Sequence, residues 1–456
     1  MQKTYLLEPI KEKSNKTKAH QIMKKHFILG LFLSAIFPAL SQTETLNLDE
    51  ALKQLEANAY ALKMQNKNVD MLKEHLAASK QHFLPQIGVQ YTGVYTNSPL
   101  NSFGFKLEQQ VVTQADFAPN LLNNPDGISN FNTQVNILQP IFNYDAQLAQ
   151  KMLNKQVQAV ELQTAFALNQ LQLELKNAYV NLQLLYAAQT VLEESEEALN
   201  AHLKIIEDFI QQGVAKNADE LGIQVKLKEV DNQKIEVAKN IANVSAYINY
   251  LIGEEEAKTY QPAESIEAEH TTSFTETSIS DNRPDLLAYQ KGIEAQQENL
   301  KMTKAKNLPR LNAFGAFNLN DESPFGFGGD NFVVGATLSW QLHLGKQLKG
   351  TTNAQKIAIE KSQIELENAK AQSNLALQQA LQEQKALRAE IENAEASLKL
   401  AEEQLRVTQN RFKEGLEKSA DVLVVENKLS QTKLKIQQLH ALLKQQMNQI
   451  EFLLKS

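Results

Sequence analysis

The sequence predicts a mainly α-helical protein that also carries membrane β-structure. Three observations lead there. Two long windows without proline carry heptad-like apolar stripes, four strand-length segments alternate with period two, and the same landmarks recur in both halves of the chain. Composition sets the frame. At 456 residues the chain is long enough for about three compact domains, or for fewer elongated ones. With no cysteine, disulfide scaffolds, Cys-ligated zinc and thiol nucleophiles are excluded. A mean hydropathy of -0.38 leaves no room for a multi-span helical membrane protein. A net charge of -7 does not point to nucleic acid. A soluble helical protein and a membrane β-barrel, whose strands barely register in hydropathy, both remain.

The first 41 residues read as an address. Lys24 and Lys25 precede the apolar run Phe27 to Leu40, and Ala39-Leu40-Ser41 closes it with a small-x-small pattern. That is a secretory signal peptide over 1–41 with cleavage near Ser41/Gln42, its apolar run too short to span a bilayer. Met23 stands just before the two lysines, so residues 1–22 read as an upstream start-site extension or a lengthened n-region. Residues 1–41 hold seven Lys and two Glu, so their removal takes the formal charge from -7 to -12.

The next elements are set by proline. None falls between Pro140 and Pro262, and none follows Pro324. In the first window Leu175, Ala178, Leu182, Leu185, Gln189, Leu192, Glu196, Leu199, Leu203, Ile206 and Ile210 step by three and four; only Gln189 and Glu196 are polar. In the second, Leu387, Ile391, Ala394, Leu398, Ala401, Leu405, Thr408 and Phe412 repeat the stripe. Such seams pack against neighbouring helices. Helices over about 144–212 and 347–414 would each be roughly 100 Å long at 1.5 Å per residue, far beyond any compact domain. Each ends in a turn, 213–219 and 415–421, where a glycine suits the left-handed residue that stops a helix. Asn217 with Glu220 forms a capping-box pattern for the return. Return helices follow at about 217–252 and 419–454. Two more, about 48–82 and 282–306, have the lengths to stack end to end on them.

After Leu84-Pro85 the period changes to two. Strands are expected at about 86–97, 129–142, 310–320 and 331–344, the second pair following Leu308-Pro309. Each has one apolar face, such as Ile87, Val89, Tyr91 and Tyr95, and one face of Asn, Gln, Thr, Ser and Gly. A sandwich would alternate too. Ten-residue lengths and an uncharged polar face favour a membrane barrel with a wet lumen. Trp340, the only Trp, sits where an interfacial aromatic belt would want it. Four strands cannot close, and unpaired backbone cannot sit in lipid, so several chains must pool their strands. Three would give twelve strands and two would give eight.

The chain is a tandem repeat. Residues 42–281 form the first unit, ending in a linker over 253–281, and residues 282–456 the second. Leu84-Pro85 returns as Leu308-Pro309, Leu138 as Leu338, and Gly213 as Gly415. The first strand pair encloses a longer loop, about 97–129, with Pro99, Pro119, Pro125 and Asp126-Gly127, which reads as an exposed hairpin end.

With these residues in place, the chain resembles the TolC-like outer-membrane efflux proteins over nearly all of its mature length. The resemblance is carried by the doubled strand-helix-turn-helix order and by Arg283-Pro284-Asp285-Leu286, similar to the signature opening the family's second half. Leu84-Pro85-Gln86-Ile87 and Leu308-Pro309-Arg310-Leu311 resemble its Leu-Pro-x-Leu approaches to the barrel. Arg411-Phe412 through Gly415 to Asp421-Val422-Leu423 resembles its Arg-Tyr-x-x-Gly turn. The family's early Asn-Pro is Asn58-Ala59 here. The resemblance implies a homotrimer in which a twelve-stranded barrel in outer-membrane lipid continues as a helical tunnel through the periplasm. Its partners would be a periplasmic adaptor (membrane fusion protein) and an inner-membrane pump of RND or ABC type. Small-molecule efflux is the function implied; type I protein secretion shares the architecture. A periplasmic coiled-coil adaptor would also have a signal peptide and long hairpins, but would not need four strands or a duplication.

The site expectations follow from position. Gly213, Val214, Asp219, Gly415, Leu416 and Asp421 are the tip residues expected to dock an adaptor, although such residues also serve as plain helix caps. Glu402, Glu403 and Arg406, above the second tip, are candidates for an electrostatic gate; the alternative is a solvated helix face. The eight histidines contain no i,i+3 or i,i+4 pair, so helical metal-ligand spacing is absent. The Gly-rich stretch after Pro324 leads into a strand, not into the helix and Lys that a phosphate-cradling loop needs. No catalytic constellation and no cofactor motif is visible. The sequence reads as a conduit.

Overall fold

The computed structural model describes residues 43–266, 274–342 and 346–455. The expected signal peptide, its cleavage point and the last residues of the expected fourth barrel strand lie outside the described residues. The described elements run in two similar halves. The first comprises β1 (Thr43–Leu46), α1 (Leu48–Asn58), α2 (Tyr60–Ser79), β2 (Gln86–Thr96), α3 (Pro99–Glu108), α4 (Pro119–Asn123), β3 (Ile128–Phe142), α5 (Tyr144–Gln211), α6 (Asn217–Ile252) and β4 (Thr259–Pro262). The second comprises α7 (Pro284–Ala305), β5 (Arg310–Asp321), β6 (Gly329–Ser339), α8 (Lys346–Lys413) and α9 (Ser419–Leu454).

Four strands form one antiparallel sheet in the order β2-β3-β5-β6. Its register sets apolar side chains side by side across all four strands. Val89 pairs with Val135, Val135 with Phe317, and Phe317 with Phe332. One row further along, Ile87, Ile137, Gly315 and Val334 align in the same way. Because neighbours along a strand face opposite sides, Gln90, Gln134, Asn318 and Asn331 align on the other face, as do Thr92, Asn132 and Asn320, while in the row between the two apolar ones that face carries Gly88, Asn136, Ala316 and Val333. Among the described residues nothing covers the apolar face. Ile87, Val89, Phe332 and Val334 are each about 70% exposed on a sheet whose outer strands, β2 and β6, have no second partner among the described residues. Register slips between Pro140 and Phe142, where proline removes an N–H and the strand bends into α5.

Below the sheet stand the helices. α5 and α8 have 68 residues each, about 100 Å at 1.5 Å per residue, and α6 and α9 have 36 each. The apolar seams are where the core lies. Leu175, Tyr179 and Leu182 pack with Leu55, Ile248, Ile252 and Tyr260 midway along the molecule, where β1 pairs in parallel with β4. Leu192, Leu199 and Ile206 meet Ile223, Val230, Phe412 and Val422 near the tips. Leu387, Ile391 and Ala394 pack on Ile436, Leu439 and Leu443. Glu196, a polar break in the first seam, accepts a hydrogen bond from Lys234 Nζ of α6 at 2.6 Å. No described helix is long and apolar enough to cross a membrane.

The shorter helices extend the returning ones. Arg283, 3% exposed at the start of α7, donates from Nε and Nη2 to Asp285 (3.1 and 2.8 Å) and from Nη1 to the Leu453 carbonyl at the end of α9 (3.5 Å). Gly253, in the left-handed region (φ +69), ends α6 against the Asn58 carbonyl, where an added Cβ would come within 2.7 Å. That contact leaves room only for glycine.

Three details differ from the sequence expectation. The last strand runs 329–339 instead of 331–344, starting earlier because Gly329 and Asp330 pair with Asn320 and Leu319. The helix expected over 48–82 breaks at Ala59, whose ψ of 122° is extended, and ends in a 3-10 turn, Lys80–Phe83. The long loop of the first hairpin is folded, with α3, a 3-10 turn at Gln114–Phe117 and α4 inside it.

Candidate functional site

Three regions carry the chemistry this fold presents: the polar face of the sheet, the aromatic ends of its apolar face, and the helical tips.

On the polar face, amide side chains bond to each other. Asn130 and Asn132 each donate from Nδ2 to Asn320 Oδ1 (3.1 and 3.0 Å). Asn318 donates to Asn331 (2.8 Å) and Asn136 to Gln134 (3.1 Å). No ionised side chain stands in the rows from Gln90 to Asn331 and from Thr92 to Asn320. The first charge on this face is at its lower end, where Arg310 pairs with Asp145 at the start of α5. Amides that satisfy one another keep their geometry while still offering donors and acceptors to water.

The apolar face has an aromatic group at each end. Trp340, 61% exposed just beyond β6, donates from Nε1 to the Asn307 carbonyl at 2.8 Å. Phe142 and Tyr144 stack nearby, centroids 6.5 Å apart. At the opposite end Phe325 stacks on Tyr91 at 5.2 Å, and Tyr91 on Phe131 at 6.3 Å. Rings with an apolar body and a polar handle settle at membrane interfaces. Between these groups lie about ten strand residues, which at a usual barrel tilt span roughly 25 Å, the height of a lipid-facing band.

At the tips the two halves repeat one construction. Gly213 and Gly415 have φ of +74° and +75°. Val214 N–H donates to Phe209 O (2.8 Å) and Gly213 N–H to Ile210 O (2.9 Å); Leu416 to Arg411 (2.8 Å) and Gly415 to Phe412 (2.9 Å) repeat the pattern. Each is a Schellman motif, satisfying carbonyls that the helix end would leave open. Val214 and Leu416 stand outside it, 69% and 61% exposed. Asp219 and Asp421 fold inward instead: each carboxylate accepts from a backbone N–H three residues back, Lys216 and Lys418, at 3.1 Å. The expected Asn217–Glu220 box is therefore displaced by one residue, and the two aspartates cap the return helices.

Glu402, Glu403 and Arg406 are exposed on α8, about 13 Å or more above Gly415 at 1.5 Å per residue. Arg406 closes on Glu403 through two hydrogen bonds (2.8 and 2.7 Å), which hold the carboxyl below its ordinary pKa and the guanidinium above its own. Those two charges offset each other, leaving Glu402 as the uncompensated one of the three.

One cluster was not visible in the sequence. His202 of α5 has Nε2 3.3 Å from Ser419 Oγ and Nδ1 3.7 Å from Glu426 Oε2, both on α9. Its ring meets Phe412 edge-on at 5.4 Å, and Gln409 donates to Glu426 at 3.4 Å. All three polar residues are buried, so this is a joint between the two hairpins and not a nucleophile open to substrate. No spacing rule finds it, because its members lie on different helices 217 residues apart. Among the described residues no group of three or more His, Asp or Glu is placed to hold a metal ion.

A family model described as outer membrane efflux protein matches residues 51–254 and 277–454. Solved structures share the fold. The outer membrane protein VceC of Vibrio cholerae is 16% identical with a TM-score of 0.72, covering 89% of this chain and 95% of its own. The outer membrane channel CmeC of Campylobacter jejuni is 15% identical at 0.74, covering 89% and 85%. CusC, whose structures are described in terms of transmembrane channel formation, is 13% identical at 0.77, covering 91% and 94%. A comparison with curated proteins finds none that matches.

Proposed function

Since this chain belongs to the outer membrane efflux protein family, we propose that three copies pool their sheets into a twelve-stranded outer-membrane barrel, with the helices continuing it as a duct through the periplasm. One observation carries the reading: a four-stranded sheet whose apolar face is uncovered and whose two edges are unpaired among the described residues. Unpaired edges and a bare apolar face are costly in water, and the edges are equally costly in lipid. Pairing β2 of one copy with β6 of the next removes both edges, turns the apolar rows to lipid and encloses the amide rows around water. The duct is passive, conducting small molecules delivered from the inner membrane.

In this reading the Schellman turns mark the periplasmic end. The exposed Val214 and Leu416 are the contacts we assign to a periplasmic adaptor, which in turn joins an inner-membrane pump of RND or ABC type. Gly213, Gly415, Asp219 and Asp421 shape those turns and do not themselves make the contact. Glu402 is the charge we assign to the entrance. The test is the detergent-corrected native mass of the protein extracted from outer membranes, followed by cross-linking from cysteines at 214 and 416. A trimer captured on an adaptor is the expected result; a stable monomer would overturn the reading, because four strands cannot close.

A further inference from the structure

The segment between β2 and β3 lies on the polar face of the sheet. Ser102 Oγ donates to the Thr96 carbonyl (3.2 Å) at the end of β2. Gln109 Nε2 donates to the Ser129 carbonyl and to Asn130 Oδ1 of β3 (2.8 and 2.9 Å). Gln110 Nε2 reaches the Asp330 carbonyl of β6 (3.1 Å). A Cβ added to Gly329 would come within 2.2 Å of the Glu108 carbonyl. Gly329 and Asn320 are register partners, and Asn320 belongs to the amide face, so the end of α3 sits on that face. From Thr96 to Asp330 the segment crosses the sheet from one edge strand to the other. It is well fixed. Ser102, Gln109, Asn130 and Asn320 are buried. From α3, Lys106 Nζ pairs with Asp116 at 2.7 Å and Phe103 meets Phe117 edge-on at 5.4 Å, tying the helix to the turn that follows it. Lys106 and the Thr113 N–H hold the Asp116 carboxyl down at a pKa of about 2.

Helical geometry then fixes what faces the other way. Ser102 and Gln109 are seven residues apart, nearly two turns, and both face the sheet. Leu100 and Leu107 each precede them by two residues, which is about 200° around the helix. They point away from the wall, and they are 83% and 52% exposed. We infer that residues 99–123 form an inward-folded collar at the outer mouth, where Leu100 and Leu107 of each copy make an apolar constriction that selects what leaves the duct. This rests on the proposed channel, in which the amide face lines the lumen. An apolar ring in a wet pore resists ions by dewetting and passes solutes that carry their own apolar surface. The exit would therefore favour amphipathic and apolar small molecules over small ions, independently of the periplasmic end.

The chain has no cysteine, so a single introduced thiol reports without background. Thr337→Cys places it on the amide face of β6 and Val334→Cys on the apolar face of the same strand. Whole cells are treated from outside with membrane-impermeant charged thiol reagents, one small and one bulky. With the collar intact, Thr337→Cys should react at least tenfold more slowly with the bulky reagent than with the small one. Replacing 99–124 by a short Asn-Gly turn should abolish that ratio. Leu100→Asn with Leu107→Asn should speed the small charged reagent several-fold. The double exchange keeps α3 and its docking residues, so it remains a test if the shortened chain does not assemble; native mass checks each variant. Equal rates for both reagents with the collar intact would overturn the inference, as would no change in any rate when the collar is shortened or made polar. Labelling of Val334→Cys with Thr337→Cys inert in every background would show that the amide face is not luminal, removing the channel reading and the collar with it.

Discussion

Gly213 and Gly415 show how a single position can matter for backbone reasons alone. Both sit at positive φ, and a Cβ added at either would touch nothing within 4 Å. Substitution therefore strains only the chain. Gly213→Ala and Gly415→Ala should each destabilise the local turn by about 1 kcal/mol, with asparagine costing roughly half of that, since it visits the left-handed region more readily. Amide exchange at residues 214–216 and 416–418 should follow that order; equal rates for glycine, asparagine and alanine would contradict it. The glycines were legible in the sequence because their conformation is a property of the residue type. The cap was not: Asn217 and Asp219 are both plausible capping residues, and only the hydrogen bond from Lys216 N–H to Asp219 separates the two frames.

Among elements, the junction between α9 and α7 has the clearest energetics. Arg283 is buried, pairs with Asp285 through two hydrogen bonds, and reaches the last turn of α9 through Leu453. Arg283→Met would leave the largely buried Asp285 carboxylate without its partner, a loss of about 3 kcal/mol. Thermal unfolding of the assembled protein should report it, and Arg283→Lys should not restore the wild-type midpoint, because an ammonium cannot reproduce the fork. The long helices could be read from sequence to within a residue or two because a 68-residue periodic pattern dominates any local ambiguity. The helices of the collar could not. α3 has ten residues and α4 five, too few turns for a period, and prolines 99 and 119 that read as loop punctuation stand instead at the first position of each helix.

For the whole molecule, the register makes a sharp distinction between two neighbouring sites on one strand. Val334→Arg would put a charge on the proposed lipid face, at a cost of about 2–4 kcal/mol near the bilayer centre, whereas Thr337→Arg would turn into the lumen at little cost. Outer-membrane levels of trimer should fall for the first and hold for the second; the reverse would mean that the sheet is inside out. The faces of each strand were legible from alternation, but the strand order was not, since the central pairing of β3 with β5 joins Val135 to Phe317 and nothing local to either strand encodes it. That pairing also bears on how the protein is made. The β2–β3 and β5–β6 pairs and the α5–α6 and α8–α9 hairpins are each closed by contacts nearer in sequence, so they can form early, while β3 must wait for its second partner, β5, about 180 residues further along the chain. Until the copies of the proposed assembly arrive, β2 and β6 remain open templates for any extended chain. In the proposed trimer, biogenesis is thus a race between the meeting of three protomers, whose rate rises with concentration, and the capture of those bare edges by the wrong strand.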